Sequence, residues 1–110
     1  MREMYFTLRR WFNKTFGIER DPFAIIIKLQ CELNELNMAV QEYEQWSTYE
    51  NRKKVQEEIS DMTILLINLS TNYGMCYDAF VDNIIAKHNI NKNRTWEKME
   101  DGTFKHKPDE

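Results

Sequence analysis

A chain of 110 residues, 42% apolar and 30% charged, is sized for one domain with one core, and three Gly and two Pro favour long helices over many short strands. The net charge of −3 argues against a nucleic-acid binder, which needs a surplus of Lys and Arg, and the early apolar run Phe23 to Ile27 is far too short for a bilayer. No secretion signal is recognisable, and two cysteines without a CxxC pattern suit free thiols in a reducing cytoplasm and argue against a thiolate zinc site.

Residues 2–15 read as an amphipathic helix with Met4, Leu8, Trp11 and Phe12 on one side. Gly17 is placed to end it in a left-handed cap, and Arg9, Arg10 and Lys14 lie where the helix dipole favours cations. Asp21-Pro22 starts a second helix running to about Glu44, because Asp caps free amides and Pro is preshaped for a first turn. Its apolar stripe is Ile26, Leu29, Leu33, Leu36, Val40 and Tyr43, and Lys28, Glu32, Glu35, Ala39 and Glu42 form the adjoining stripe. Ser47 with Glu50 matches a capping box for the next helix. Val55, Ile59, Met62, Leu66, Leu69 and Tyr73 make its apolar stripe, the middle is apolar nearly all round, and Gly74 ends it. It is expected to be the most buried helix. A last long helix spans about Asp78 to Arg94, and its stripe changes from Tyr77, Phe80 and Ile84 to Lys87, Asn91 and Arg94. That switch fits a helix leaving the core for a site and equally one fraying into solvent. Asp101-Gly102 suits a tight turn, with Trp96 and Phe104 as latches and disorder beyond Lys107. The expected fold is all-α, an antiparallel bundle of about four helices with a short C-terminal hairpin or tail, in a single domain over residues 1–110.

Two carboxylate pairs at a spacing of three stand out: Glu32 with Glu35, and Glu58 with Asp61. On a helix such residues share a face. Asp61 occupies a helix interior, where Asp is a poor residue, and Glu58 and Asp61 share a stripe with Leu65 and Asn68. Four carboxylates on two neighbouring helices repel one another unless a cation or extensive solvent separates them. A hard divalent cation that takes carboxylates, waters and phosphates meets that need, and an ionic solvated surface is the competing account. Charge is uneven: residues 30–62 carry eight acids against three bases, and residues 86–98 four bases against one acid. The two histidines, His88 and His106, complete no Glu-x-x-His di-iron motif and no HExxH motif, and there is no Gly-rich phosphate loop.

Glu32-Leu-Asn-Glu35, Glu58-Ile-Ser-Asp61 and the segment AKHNINKNRTW, in that order, resemble the all-α nucleoside triphosphate pyrophosphohydrolases, the MazG-like superfamily. The opening LRRWFNKTFGI and the closing WEKMEDGTFKH also resemble small MazG-like proteins of bacteria and phages. The resemblance implies hydrolysis of a nucleoside or deoxynucleoside triphosphate between its α- and β-phosphates, giving the monophosphate and pyrophosphate. It implies Mg²⁺ as cofactor, with Mn²⁺ as a substitute, held by Glu32, Glu35, Glu58 and Asp61. Glu32 or Glu35 would orient or deprotonate the attacking water. Lys87 and Arg94 would contact phosphates, Asn91 substrate or a metal-bound water, and Trp96 would stack on a base or, the more frequent fate of such a Trp, pack against the bundle. A homodimer or homotetramer in the cytoplasm is implied as well. Many relatives carry two adjacent acids where this chain has Cys31-Glu32, a departure that leaves the ExxE spacing intact. The rival expectations are a non-catalytic helical interaction protein and a nucleotide-binding relative without hydrolysis. Trp11, Asn13 and Phe16 are further candidates for contact with the base.

Overall fold

The computed structural model describes residues 1–108, so the expected disorder of residues 109 and 110 lies outside the described residues. Four helices, α1 (Arg2–Phe16), α2 (Pro22–Gln45), α3 (Tyr49–Asn72) and α4 (Tyr77–Lys92), precede a hairpin of β1 (Trp96–Lys98) and β2 (Phe104–His106). The fold is all-α. Its residues form two compact units, Met1–Tyr77 and Asp78–Glu110.

In the first unit, α2 and α3 pack along each other as an antiparallel pair. Glu42 meets Lys54 at 3.7 Å, and Ile25 and Lys28 share a cavity with Leu65 and Asn68, so the pairing descends one helix as it climbs the other. The Asp21 carboxylate caps α2 through Phe23 N–H, with Pro22 in the first turn, as the sequence implies. The cap of α3 falls one residue later than the capping box suggests. Thr48 Oγ1 accepts from Asn51 N–H at 3.2 Å, while Ser47 Oγ donates back to Tyr43 O at 3.1 Å. Ser47 is therefore engaged with the end of α2, leaving the next hydroxyl to start α3.

The face that α2 turns to α3 also differs from the richest apolar stripe. The buried line on α2 is Ile25, Glu32 and Ala39, at intervals of seven, and Leu29, Leu36 and Tyr43 are half-buried. Ile26, Leu33 and Val40 are 39%, 54% and 38% exposed. On α3 the buried residues are Asn51, Ile67, Asn68 and Ser70, more than any other helix buries, yet Ile59 and Leu66 of the expected stripe are exposed. The helices meet along their carboxylate-bearing sides and leave much apolar surface outward.

α1 packs against the later part of α3. Tyr5, fully buried, donates its hydroxyl to Met75 O at 2.6 Å and lies 3.2 Å from Ser70 Oγ, which satisfies the polar end of a large apolar side chain. Gly17 ends α1 with φ 87° but ψ 164°, a combination open to glycine and distinct from the left-handed cap expected. Arg20 fastens the connection: its guanidinium donates to Asn13 Oδ1 at 2.7 Å, Gly17 O at 2.8 Å and Thr71 Oγ1, and it lies over the Phe12 ring.

In the second unit, the strands pair Trp96 with His106 and Lys98 with Phe104 around Asp101-Gly102. Gly102 has φ 89°, and Asp101 Oδ1 accepts from both Thr103 N–H and its hydroxyl. Within this unit Trp96 and Phe104 are exposed, and the Trp96 ring meets that of His106 edge-on. α4 contains no buried residue: Tyr77 and Phe80 are half-buried and Ile84 is exposed. No helix among the described residues is long and apolar enough to cross a membrane.

Candidate metal centre

The seam between α2 and α3 places acidic side chains where apolar ones would ordinarily interlock. Glu32 is buried between Ile25 and Ala39 on the inner line of α2, and Glu58 and Asp61 come from α3. Each of the three offers a carboxylate oxygen within 4.8 Å of the other two. Burial rises across the group from exposed Asp61 through half-buried Glu58 to buried Glu32. A single ion can therefore reach all three from the solvent side.

Electrostatics distinguish the members. Lys28, one turn before Glu32, donates to Glu32 Oε1 at 3.1 Å. That hydrogen bond holds the Glu32 carboxyl below the ordinary carboxylate range against the opposing effect of burial. Glu58 has no such cation among the described residues. Burial first, then its hydrogen bond with Glu32 and the negative charges of Glu35, Glu32 and Asp61, push its carboxyl up to about 7. With every carboxylate ionised, Glu32 Oε2 and Glu58 Oε2 are buried without a hydrogen-bond donor among the described residues. A proton on one carboxyl, a cation or a water would complete these oxygens.

The donor set fits a divalent cation of the Mg²⁺ class. All the donors are hard carboxylate oxygens, they come from two helices, and two of the residues carry a buried oxygen without a hydrogen-bond donor among the described residues. The exposed side of Asp61 leaves room for waters and phosphate oxygens to complete a coordination sphere.

Glu35 stands slightly apart. It is exposed, outside the three-carboxylate group, and lines with Glu42, Lys54, Glu57 and Glu58 a cleft of about 210 Å³ on the solvent side. Its charge is nevertheless felt by Glu58. Three of the four carboxylates expected from the sequence, Glu32, Glu58 and Asp61, thus converge, and Glu35 flanks them. An ionic surface of solvated acids does not describe Glu32, which is 6% exposed.

Lys87, Asn91, Arg94 and Trp96 belong to the second unit. Asn91 and Arg94 are half-buried, Lys87 and Trp96 exposed, and Trp96 Nε1 donates to Asn91 O at 2.9 Å. Arg94 follows α4 rather than ending it, with its N–H bonded to Asn91 O.

Two residues enter the site that motif reading did not give a role. Lys28 was legible as the i−4 neighbour of Glu32, a spacing that favours an ion pair. Asn68 shares the stripe of Glu58 and Asp61 and is buried with its Oδ1 unpartnered. Beyond Lys28 the seam opens into a cavity of about 470 Å³ walled by Phe16, Arg20, Ala24, Ile25, Leu65 and Asn68. Of the first-helix residues considered for base contact, Phe16 lines this cavity, and Asn13 is engaged by Arg20.

A family model described as dATP/dGTP pyrophosphohydrolase matches residues 6–109, nearly the whole chain. No curated protein and no solved structure gives a match.

Proposed function

The chain belongs to the dATP/dGTP pyrophosphohydrolase family, a family of hydrolases acting on acid anhydrides, and from that premise we propose a specific reaction and division of labour. The substrates are dATP and dGTP. Water attacks the α-phosphorus, the bond from that phosphorus to the α,β-bridging oxygen breaks, and deoxynucleoside monophosphate and pyrophosphate leave. The observation that carries this reading is the convergence of Glu32, Glu58 and Asp61 within 4.8 Å, two of them with buried unpartnered oxygens.

Glu32, Glu58 and Asp61 hold a divalent cation, Mg²⁺ or its substitute Mn²⁺. Such a cation, when bound, lowers the pKa of water and neutralises charge growing on the leaving pyrophosphate. Lys28 keeps Glu32 ionised and oriented as a ligand. Glu35, exposed beside the cluster, completes the ligand set or takes the proton of the attacking water on a carboxylate oxygen. Lys87 and Arg94 contact phosphate oxygens, Asn91 a phosphate or water, and Trp96 the base. The outward apolar residues Leu33, Val40, Ile59 and Leu66 support a homo-oligomer, dimer or tetramer. The two free cysteines support a cytoplasmic place of action.

The deciding experiment incubates the protein with Mg²⁺ and dATP or dGTP and identifies the products by phosphorus NMR. Monophosphate with pyrophosphate is expected. Diphosphate with inorganic phosphate, or no turnover of any nucleotide, would falsify the proposed reaction. Glu58→Gln is expected to abolish Mg²⁺ binding measured by calorimetry. Glu35→Gln is expected to lower kcat by roughly 100-fold or more, within the range for a lost general base, while Mg²⁺ binding persists. Equal loss of Mg²⁺ binding in both variants would instead make Glu35 a ligand.

A further inference from the structure

We propose that Asn68 reads the purine base, with its buried Oδ1 accepting a hydrogen bond from the base edge inside the cavity that continues the carboxylate seam. The inference rests on the reaction proposed above and adds to it a residue that reads the hydrogen-bonding edge of the base.

Asn68 is 6% exposed and its Oδ1 has no hydrogen-bond donor among the described residues. A buried amide oxygen left unpaired is costly, and a native fold tolerates it where a ligand completes the bond. This oxygen belongs to a residue lining a cavity of about 470 Å³, within the size range of small-molecule sites. The walls are of the kind a base needs: Ile25 and Leu65 are apolar, and Phe16 offers an aromatic face at the mouth.

Position ties the cavity to the phosphates. Lys28 lines it and also donates to Glu32, so cavity and carboxylate cluster share a wall. Asp61 and Asn68 lie on one helix seven residues apart, about 10 Å at 1.5 Å per residue. That is the reach of a deoxynucleoside from its 5′-phosphate to the far edge of a purine. A triphosphate anchored at the carboxylates therefore delivers its base to Asn68.

An amide suits a site that accepts two purines. Adenine offers its N6 amino group as donor, and guanine its N1–H and N2 amino group, and Oδ1 can accept from either. A carboxylate at the same place would present acceptors only. Guanine matches it with two adjacent donors, whereas adenine sets its N1 lone pair against it.

The test compares kcat/KM for dATP, dGTP and the baseless 2-deoxyribose 5-triphosphate in the wild-type protein, Asn68→Asp, Asn68→Leu and Ala24→Phe. Asn68→Asp is expected to raise the dGTP to dATP ratio by roughly 10-fold or more, the size of a bidentate base contact. Asn68→Leu should weaken both nucleotides through KM and spare the baseless triphosphate. Ala24→Phe fills the cavity from an exposed position, which keeps the test open should Asn68→Leu fail to fold. It should lower nucleotide hydrolysis relative to the baseless compound. Unchanged base ratios in Asn68→Asp, or equal losses on all three substrates in the folded variants, would overturn the assignment while leaving the reaction standing. A wild-type protein inert toward all three would overturn the reaction, and the assignment with it.

Discussion

Glu32 and Glu58 are the same residue type at nearly the same place, and they differ in one neighbour. Lys28 keeps Glu32 ionised, and Glu58, buried beside other carboxylates, holds a proton up to about pH 7. The consequence for stability has a definite sign. Glu58 starts from an ordinary value of 4.5, so its raised folded value stabilises the metal-free fold fully below 4.5 and loses that contribution as pH rises through 7. The lowered Glu32 acts in the opposite sense and only below its ordinary 4.5, outside this window. Metal-free wild-type protein should therefore lose thermal stability between pH 5 and pH 8 relative to Glu58→Gln. Added Mg²⁺ should raise the melting temperature more at pH 8 than at pH 6, because below 7 it must displace a proton. Parallel pH profiles for the two proteins, measured by calorimetry, would contradict the assignment of the proton to Glu58. The carboxylate pairs themselves were legible from spacing. That they differ in protonation was not, because it depends on burial, which periodicity does not report.

At the scale of elements, helix starts were easier to read than helix faces. Asp21-Pro22 carries its own stereochemistry, so the start of α2 follows from two residues. The hydroxyl capping α3 is that of Thr48, while Ser47 donates back to the carbonyl of Tyr43, a division of roles between neighbours that a motif does not resolve. Thr48→Ala should cost about 1 kcal/mol in urea unfolding, the usual worth of an N-cap, and Ser47→Ala only a small part of that. Equal losses would restore Ser47 as the cap. The face of α2 was harder still. Its apolar stripe has the helical period, yet the buried line of α2 is Ile25, Glu32 and Ala39, beside that stripe and not on it. A hydrophobic stripe shows that something packs there, not what.

For the whole molecule, that misplacement becomes a statement about assembly. Among the described residues only Tyr5, Phe12, Ile25, Ala39 and Ile67 are buried apolar residues, whereas Leu33, Val40, Ile59 and Leu66 stand exposed on α2 and α3. Five core side chains are few for a chain of this length. A second copy covering the exposed stripes removes the shortage. The protein should elute as a dimer or tetramer in light scattering, and Leu33→Glu should shift it to smaller species with a lower melting temperature. A wild-type monomer with full stability would refute this. All-α class and element order were legible from the sequence, because few turn residues and long periodic runs leave little choice. Which apolar stripes stay outward was not legible, because an apolar stripe marks a surface to be covered without saying what covers it.

The short connection from α2 to α3, residues 46–48, also bears on how the chain reaches its fold. Glu32 and Asp61 are fewer than thirty positions apart, so the acidic cluster closes with a local helical hairpin of low contact order. Charge repulsion is then felt on the way up the folding barrier rather than after it. Mg²⁺ should accordingly speed refolding as well as slow unfolding, moving both arms of a chevron plot. A purely slower unfolding arm would mean that the hairpin closes late. If the folding arm moves, the ion proposed for hydrolysis is also a folding cofactor, and its availability sets how fast new chains mature.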